Sequence, residues 1–303
     1  MMKFLSSKIS WIKKQTEPLQ DALSHYASVN ASTLAAALSY NTLFSLAPLF
    51  VIAVAIVGFV YGKEVAEGRI IDQLSDYIGP RTAEFLRQVI TKTFNPASGI
   101  VATAISGAIL IGGASTAFSQ LRLSLGIIWN VKRKKKLPLV QWVKMNVFPF
   151  LLVIMSGFVL LASMIVSSSI TFIENYLNKI IPVPHVLWQT ASFLINLGII
   201  TGIFALVFKF VSNAFVAWIP VLLGAFFTAS LFSVLRIFLV FYFSHAAHLS
   251  VYGAAASLVI LLLWLNYIFQ VIFLGAEFIR VYSIRSGRPI RPSGYSSFTD
   301  ARD

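Results

Sequence analysis

The chain contains no cysteine, and only 12% of its 303 residues are charged. The first absence removes disulfides, thiolate nucleophiles and Cys-ligated metal sites. The second leaves about half the charged share of a soluble domain. Acids are scarcest, 11 Asp and Glu against 24 Lys and Arg. There is no glycine-rich phosphate loop with a following Lys, no His-Glu zinc-helix motif and no Ser set between glycines at a nucleophile elbow. Of the 4 His, only His245 and His248 are near neighbours, and they have no Cys or acid beside them to complete a metal set. No acidic cluster in the aqueous segments could hold the ions of a nuclease. No catalytic residue, metal or cofactor is expected.

What remains is apolar. Hydrophobic residues make up 57% of the chain, and the mean hydropathy is +0.81. A bilayer core of about 30 Å needs roughly 20 apolar residues in a helix. Six stretches meet or approach that length: 34–60, 100–129, 143–170, 186–208, 218–243 and 251–278. The expected fold is therefore all-α, a polytopic membrane protein with six transmembrane helices spanning 34–280. An N-terminal amphipathic segment covers 1–33, and a flexible basic tail without fold covers 281–303. The first apolar stretch is too long, and starts too late, for a cleaved signal peptide.

Basic residues orient the spans. Lys3, Lys8, Lys13 and Lys14, the run Lys132, Arg133, Lys134, Lys135 and Lys136, and the tail residues Arg280, Arg285, Arg288 and Arg291 fall in segments that an even number of spans puts on one side. The positive-inside rule makes that side the cytoplasm, with both termini in it. The net charge of +13 then reads as cytoplasmic loops near anionic lipid headgroups rather than as a nucleic-acid surface, with the run 132–136 as the headgroup contact. The outer segment 61–99 carries apolar residues near helical spacing. They predict two short amphipathic helices broken at Gly79 and Pro80, which either cap the bundle or gate it.

Polar residues inside the spans are candidates for function. Arg236 sits about eighteen residues into the fifth span, where a charge costs roughly 2.5 to 3.5 kcal/mol on insertion scales. It either faces the bundle interior or snorkels to the outer interface. An interior cation invites a phosphate or carboxylate ligand. Asn41 and Ser45 in the first span, and Asn266 and Gln270 on one face of the sixth, could line the same path or simply hydrogen-bond between helices. Pro48 predicts a kink. Small residues around Gly112 and Gly113 predict close helix packing or a hinge. Glu277, at the inner end of the sixth span, is the lone acid within the predicted spans.

Three segments together resemble the YihY/BrkB family of bacterial inner-membrane proteins. They are AAALSYNTLFSLAPL from Ala35 to Leu49, WIPVLLGAFFTASLFSVLR from Trp218 to Arg236, and YGAAASLVILLLWLNYIFQVIFLGAEF from Tyr252 to Phe278. The resemblance implies six spans in the cytoplasmic membrane. Members have carried ribonuclease and virulence labels, and the missing nuclease residues argue against the first. Members often have Lys where this chain has Arg236, which keeps the cation, and a second Tyr where it has Asn41. Glu277 falls on the family's closing Gly-Ala-Glu pattern and could pair with Arg280 or Arg122.

Two classes of function follow. One is a transporter or flippase for an anionic or lipid-like substrate, with Arg236, Asn41, Ser45, Asn266 and Gln270 along the path and anionic lipids as partners. The other is a non-transporting scaffold or envelope-assembly protein, with a second copy or an envelope protein as partner. A cation/proton exchanger is a weaker variant, because such proteins need a membrane-embedded acid and only Glu277 is available.

Overall fold

The computed structural model describes residues 20–44, 46, 68, 70–72, 75, 80–93, 99–133, 185–212, 214–245, 255–293 and 296–298. The third predicted span, Ser45, Pro48, Lys134, Lys135, Lys136 and most of the segment 61–79 lie outside these residues. The described chain is mostly helical. Helix α1 covers 20–28 and α2 covers 31–44. They are followed by α3 (Pro80–Thr93), α4 (Gly99–Ile128) and α5 (His185–Leu206). Then come α6 (Trp218–His245) and α7 (Ala255–Arg285).

Among the described residues, three helical stretches are long and apolar enough to cross a membrane: Val186–Val211, Trp218–Tyr242 and Ser257–Arg285. Their outer faces carry Phe193, Leu194, Phe226, Ile237, Phe238 and Phe241 exposed, as expected of helices solvated by hydrocarbon tails. The first of these stretches runs past its predicted end through a π-helical turn, Val207–Val211. The last runs on to Arg285, seven residues beyond the predicted end of the sixth span.

Helices α6 and α7 are antiparallel, and glycines set their separation. A Cβ on Gly275 would overlap the Thr228 hydroxyl and lie 3.3 Å from Phe208 Cζ, and one on Gly224 would overlap the Ile279 side chain. Ala225, Ala229 and Ala276 are fully buried beside them. Without a hydrophobic drive between helices in lipid, such small residues let backbones approach and gain dispersion contact. The close approach is therefore at Gly224 and Gly275. Gly112, expected to pack, is exposed with nothing within 4 Å of its Cβ position.

Helix ends are turned by residues in the left-handed region. Asn30 (φ 51), Asn130 (φ 54) and Gly287 (φ 66) stop α1, α4 and α7 respectively, the conformation that ends helices most economically for Asn and Gly. After Gly287 the Arg288 amide donates to the Ser283 carbonyl at 3.0 Å and the Gly287 amide to Ile284 at 3.2 Å.

Two small antiparallel sheets depart from the all-α expectation. Strand β1 (Val131–Arg133) pairs with β4 (Ser296–Phe298), Val131 opposite Phe298 and Arg133 opposite Ser296. Strand β2 (Ala214–Phe215) pairs with β3 (Arg291–Pro292), Ala214 opposite Pro292. The tail read from sequence as foldless from 281 onward is thus the last turn of α7 followed by two strands. Its strands have partners because α4 and α5 both end beside the end of α7 and present short extended segments there. Lys132 and Arg133, read as part of a loop, lie in β1.

Candidate functional site

Four chain segments meet where α7 ends: α1, β1 after α4, β2 after α5, and the tail. Helix α1 docks there by an apolar stripe, with Ala22 buried and Tyr26 and Val29 packed on the core. The stripe has the i, i+4, i+7 spacing of one helix face. Across from it stands Glu277, whose side chain is 0% exposed. His25 Nδ1 donates to Glu277 Oε1 at 2.5 Å, and Arg280 Nε donates to Oε2 at 2.8 Å. A buried carboxylate is tolerated when its oxygens carry charge-assisted donors, and both are so occupied here. One turn beyond, Arg285 Nη2 reaches Asp21 Oδ2 at 3.2 Å. Burial pushes the Tyr26 phenol up from 10.0 to about 12.

The end of α4 is tied in as well. The buried Trp129 indole donates to the Ala276 carbonyl at 3.0 Å, and Arg122 Nε donates to the Val211 carbonyl at 3.3 Å. Of the two arginines expected for Glu277, Arg280 holds it, while Arg122 binds the backbone at the end of α5.

Arg236 lies far from this junction. It is half-buried, flanked one turn away on either side by buried Phe232 and Leu239, so it borders the inward stripe of α6. Thr228 faces Gly275 across the pair. Moving eight residues along each antiparallel helix, away from that contact, brings Arg236 to the depth of Tyr267, beside Asn266. At 1.5 Å per residue this level is about 12 Å from the glycine contact. Gln270 Nε2 donates to Asn266 Oδ1 at 2.6 Å, both part-buried. Three expected site residues, Arg236, Asn266 and Gln270, thus lie within about one helical turn of the same depth in the α6–α7 pair. Asn41 is half-buried on α2. Glu277 lies about ten residues nearer the helix end and joins the junction instead.

The model of the virulence factor BrkB family matches residues 22–295. The chain belongs to this family. A UPF0761 membrane protein of Pseudoalteromonas translucida is 28% identical over 257 residues, covering 82% of this chain and 79% of its own length. One from Vibrio campbellii is 26% identical over 260 residues, covering 82% and 76%. In Tolumonas auensis a relative is 40% identical over 93 residues, 30% of each chain. The chain spans just over half the length, 56%, of a relative from Saccharophagus degradans. No solved structure matches it.

The structure of this BrkB-family chain gives roles to residues that sequence reasoning passed over. His25, Asp21 and Trp129 belong to no motif in the sequence. Each contacts α7 from a segment more than 140 residues away in sequence, 252 for His25, 264 for Asp21 and 147 for Trp129. Lys209 lies one residue past the predicted end of the fourth span. Its Nζ donates to the Val216 carbonyl at 2.6 Å and stands 5.0 Å from the centre of the Trp218 ring. The available signal was a Lys and a Trp bracketing the turn between two apolar stretches, the composition of a membrane interface. Among the described residues no group of three or more His, Cys, Asp or Glu gathers as a metal set.

Proposed function

We propose that this BrkB-family chain crosses the bacterial cytoplasmic membrane six times with both termini in the cytoplasm, and transports or flips an anionic, lipid-like substrate. The meeting of α1, β1, β2 and the tail at one end supports the count. Each return to that end takes an even number of crossings, and α6 with α7 supplies one such pair. Lys132, Arg133, Arg285, Arg288 and Arg291 gather at this end, which fits the cytoplasmic face. The transport reading is carried by one observation: Arg236 shares its depth with the Asn266–Gln270 amides, beside the inward stripe of α6. A cation at that level, with amide donors near it, suits a phosphate or carboxylate passing between α6 and α7.

The scaffold reading draws on the amides themselves. Gln270 already satisfies Asn266 at 2.6 Å, as two structural amides would, and the four-segment junction offers a firm face to a second copy or an envelope partner. The exchanger reading loses support, because both oxygens of Glu277 already hold donors.

Reconstitution into vesicles carrying a fluorescent anionic phospholipid separates the first two readings. Transport predicts that the protein exposes inner-leaflet label to an external quencher, and that Arg236→Gln slows this while Arg236→Lys does not. Equal rates in protein-free and protein-containing vesicles would leave the scaffold.

A further inference from the structure

We propose that the turn between α5 and α6 is a binding site for the headgroup phosphate of an anionic phospholipid, held by Lys209 and Arg291. The proposal is independent of transport, since it concerns a lipid docked at the surface and not one that moves.

The turn is built in a way that displays its cations. The π-helical widening at Val207–Val211 buries Phe208 fully and leaves Phe210 42% exposed. Lys209 is anchored from one side by the Val216 carbonyl and lies over the Trp218 ring. That contact holds the ammonium at the end of the apolar stretch, at the level where Trp rings settle in bilayers. Only one of its three protons is used in the Val216 hydrogen bond. The next residue back, Phe215, is directly opposite Arg291 in the β2–β3 register. Residues directly opposite in an antiparallel pair point to the same face, so Phe215 and Arg291 are displayed together.

Both are exposed, Phe215 at 66%. Arg291 has no hydrogen-bond or ion-pair partner among the described residues. The described acids at this end are occupied elsewhere: Asp21 with Arg285, and Glu277 with His25 and Arg280. Trp218 is 50% exposed and meets Phe210 edge-to-face at 6.3 Å.

The result is two cations, neither paired with a carboxylate among the described residues, next to three exposed aromatic rings at the end of a membrane-length helix. A phosphodiester would take the cations, and its acyl chains would lie along the rings. A soluble anion would use the cations but gain nothing from the rings, which is why we assign the site to a phospholipid.

The test uses the full chain in vesicles containing brominated phosphatidylglycerol or brominated phosphatidylcholine at equal mole fraction. Quenching of the Trp218 share of fluorescence is read as the difference between the parent and Trp218→Phe. We expect stronger quenching by phosphatidylglycerol, and a preference lowered by about fivefold in Arg291→Gln and in Lys209→Gln, the weight of one basic residue near an anionic surface. Lys209→Arg and Arg236→Gln should keep the parent preference. Equal quenching by the two lipids, or a preference untouched in Arg291→Gln, whose side chain is exposed, would overturn the proposal. Displacement of phosphatidylglycerol by equimolar glycerol phosphate would also overturn it, in favour of a free-anion site.

Discussion

The imidazole of His25 lies 2.5 Å from the carboxylate of Glu277, a contact that joins positions 252 residues apart. It fixes the N-terminal helix to the end of the last one, with Arg280 neutralising the same carboxylate 2.8 Å away.

Removing the two partners should have unequal effects. Glu277→Gln leaves Arg280, whose side chain is 18% exposed, without its counter-charge, and breaking such a buried pair costs about 3 kcal/mol or more. His25→Ala leaves the Glu277–Arg280 pair intact and should cost about 1 kcal/mol, one hydrogen bond. Thermal unfolding in detergent should rank Glu277→Gln well below His25→Ala, and the reverse order would contradict the arrangement.

Gly275 and Gly112 should respond differently to an added methyl group. Gly275→Ala forces its new methyl into Thr228 and should destabilise by about 1 to 3 kcal/mol. Part of this should return in Gly275→Ala combined with Thr228→Ala, the signature of contact in a double-mutant cycle. Gly112→Ala has open space around it and should be neutral or stabilising by up to about 1 kcal/mol.

Tyr26 makes α1 docking sensitive to alkali. Its phenol is raised from 10.0 to about 12 in the docked state by burial, whereas an undocked phenol ionises near its ordinary value of about 10. A group raised on docking contributes stability that is fully present below pH 10 and is lost as the pH climbs through 12. Absorbance of phenolate, taken as the parent minus Tyr26→Phe, should therefore show a midpoint near 12. Limited proteolysis at α1 should rise between pH 10 and 12 in the parent but not in Tyr26→Phe.

The β1–β4 pairing can be trapped directly, because the natural chain contains no cysteine. Lys132 and Ser297 are direct partners, at the Cβ separation of opposed strand residues, about 4.5 to 5.5 Å. The pair Lys132→Cys with Ser297→Cys should cross-link under mild oxidation, while Lys132→Cys with Ser286→Cys should not. Failure of the first pair would remove the sheet.

The helices were legible in the sequence because apolar length is a local property. The starts of α4 and α6 fall at 99 and 218, against 100 and 218 expected from the run of side chains. The level shared by Arg236, Asn266 and Gln270 was half-legible. Asn266 and Gln270 had to share a face at a spacing of four, but the register that carries Arg236 to them depends on where Gly224 and Gly275 let two helices touch. The strands were not legible at all. Segments of two or three residues have no periodicity, and Val131 finds Phe298 only because two distant helices end side by side. The contact between His25 and Glu277 is hidden for the same reason, since nothing in either flanking sequence refers to the other.

The β1–β4 pair also dictates an order of events during synthesis. Val131 leaves the ribosome long before Phe298, so β1 stands at the membrane surface as an open edge, ready to pair with other chains, while more than 160 further residues are made. Closure waits until β4 has followed the end of α7. A ribosome stalled a few codons short of Ser296 would hold a chain whose α7 is complete and whose β1 edge is unsealed, a difference by which a quality-control protease could tell it from a chain that has closed the sheet.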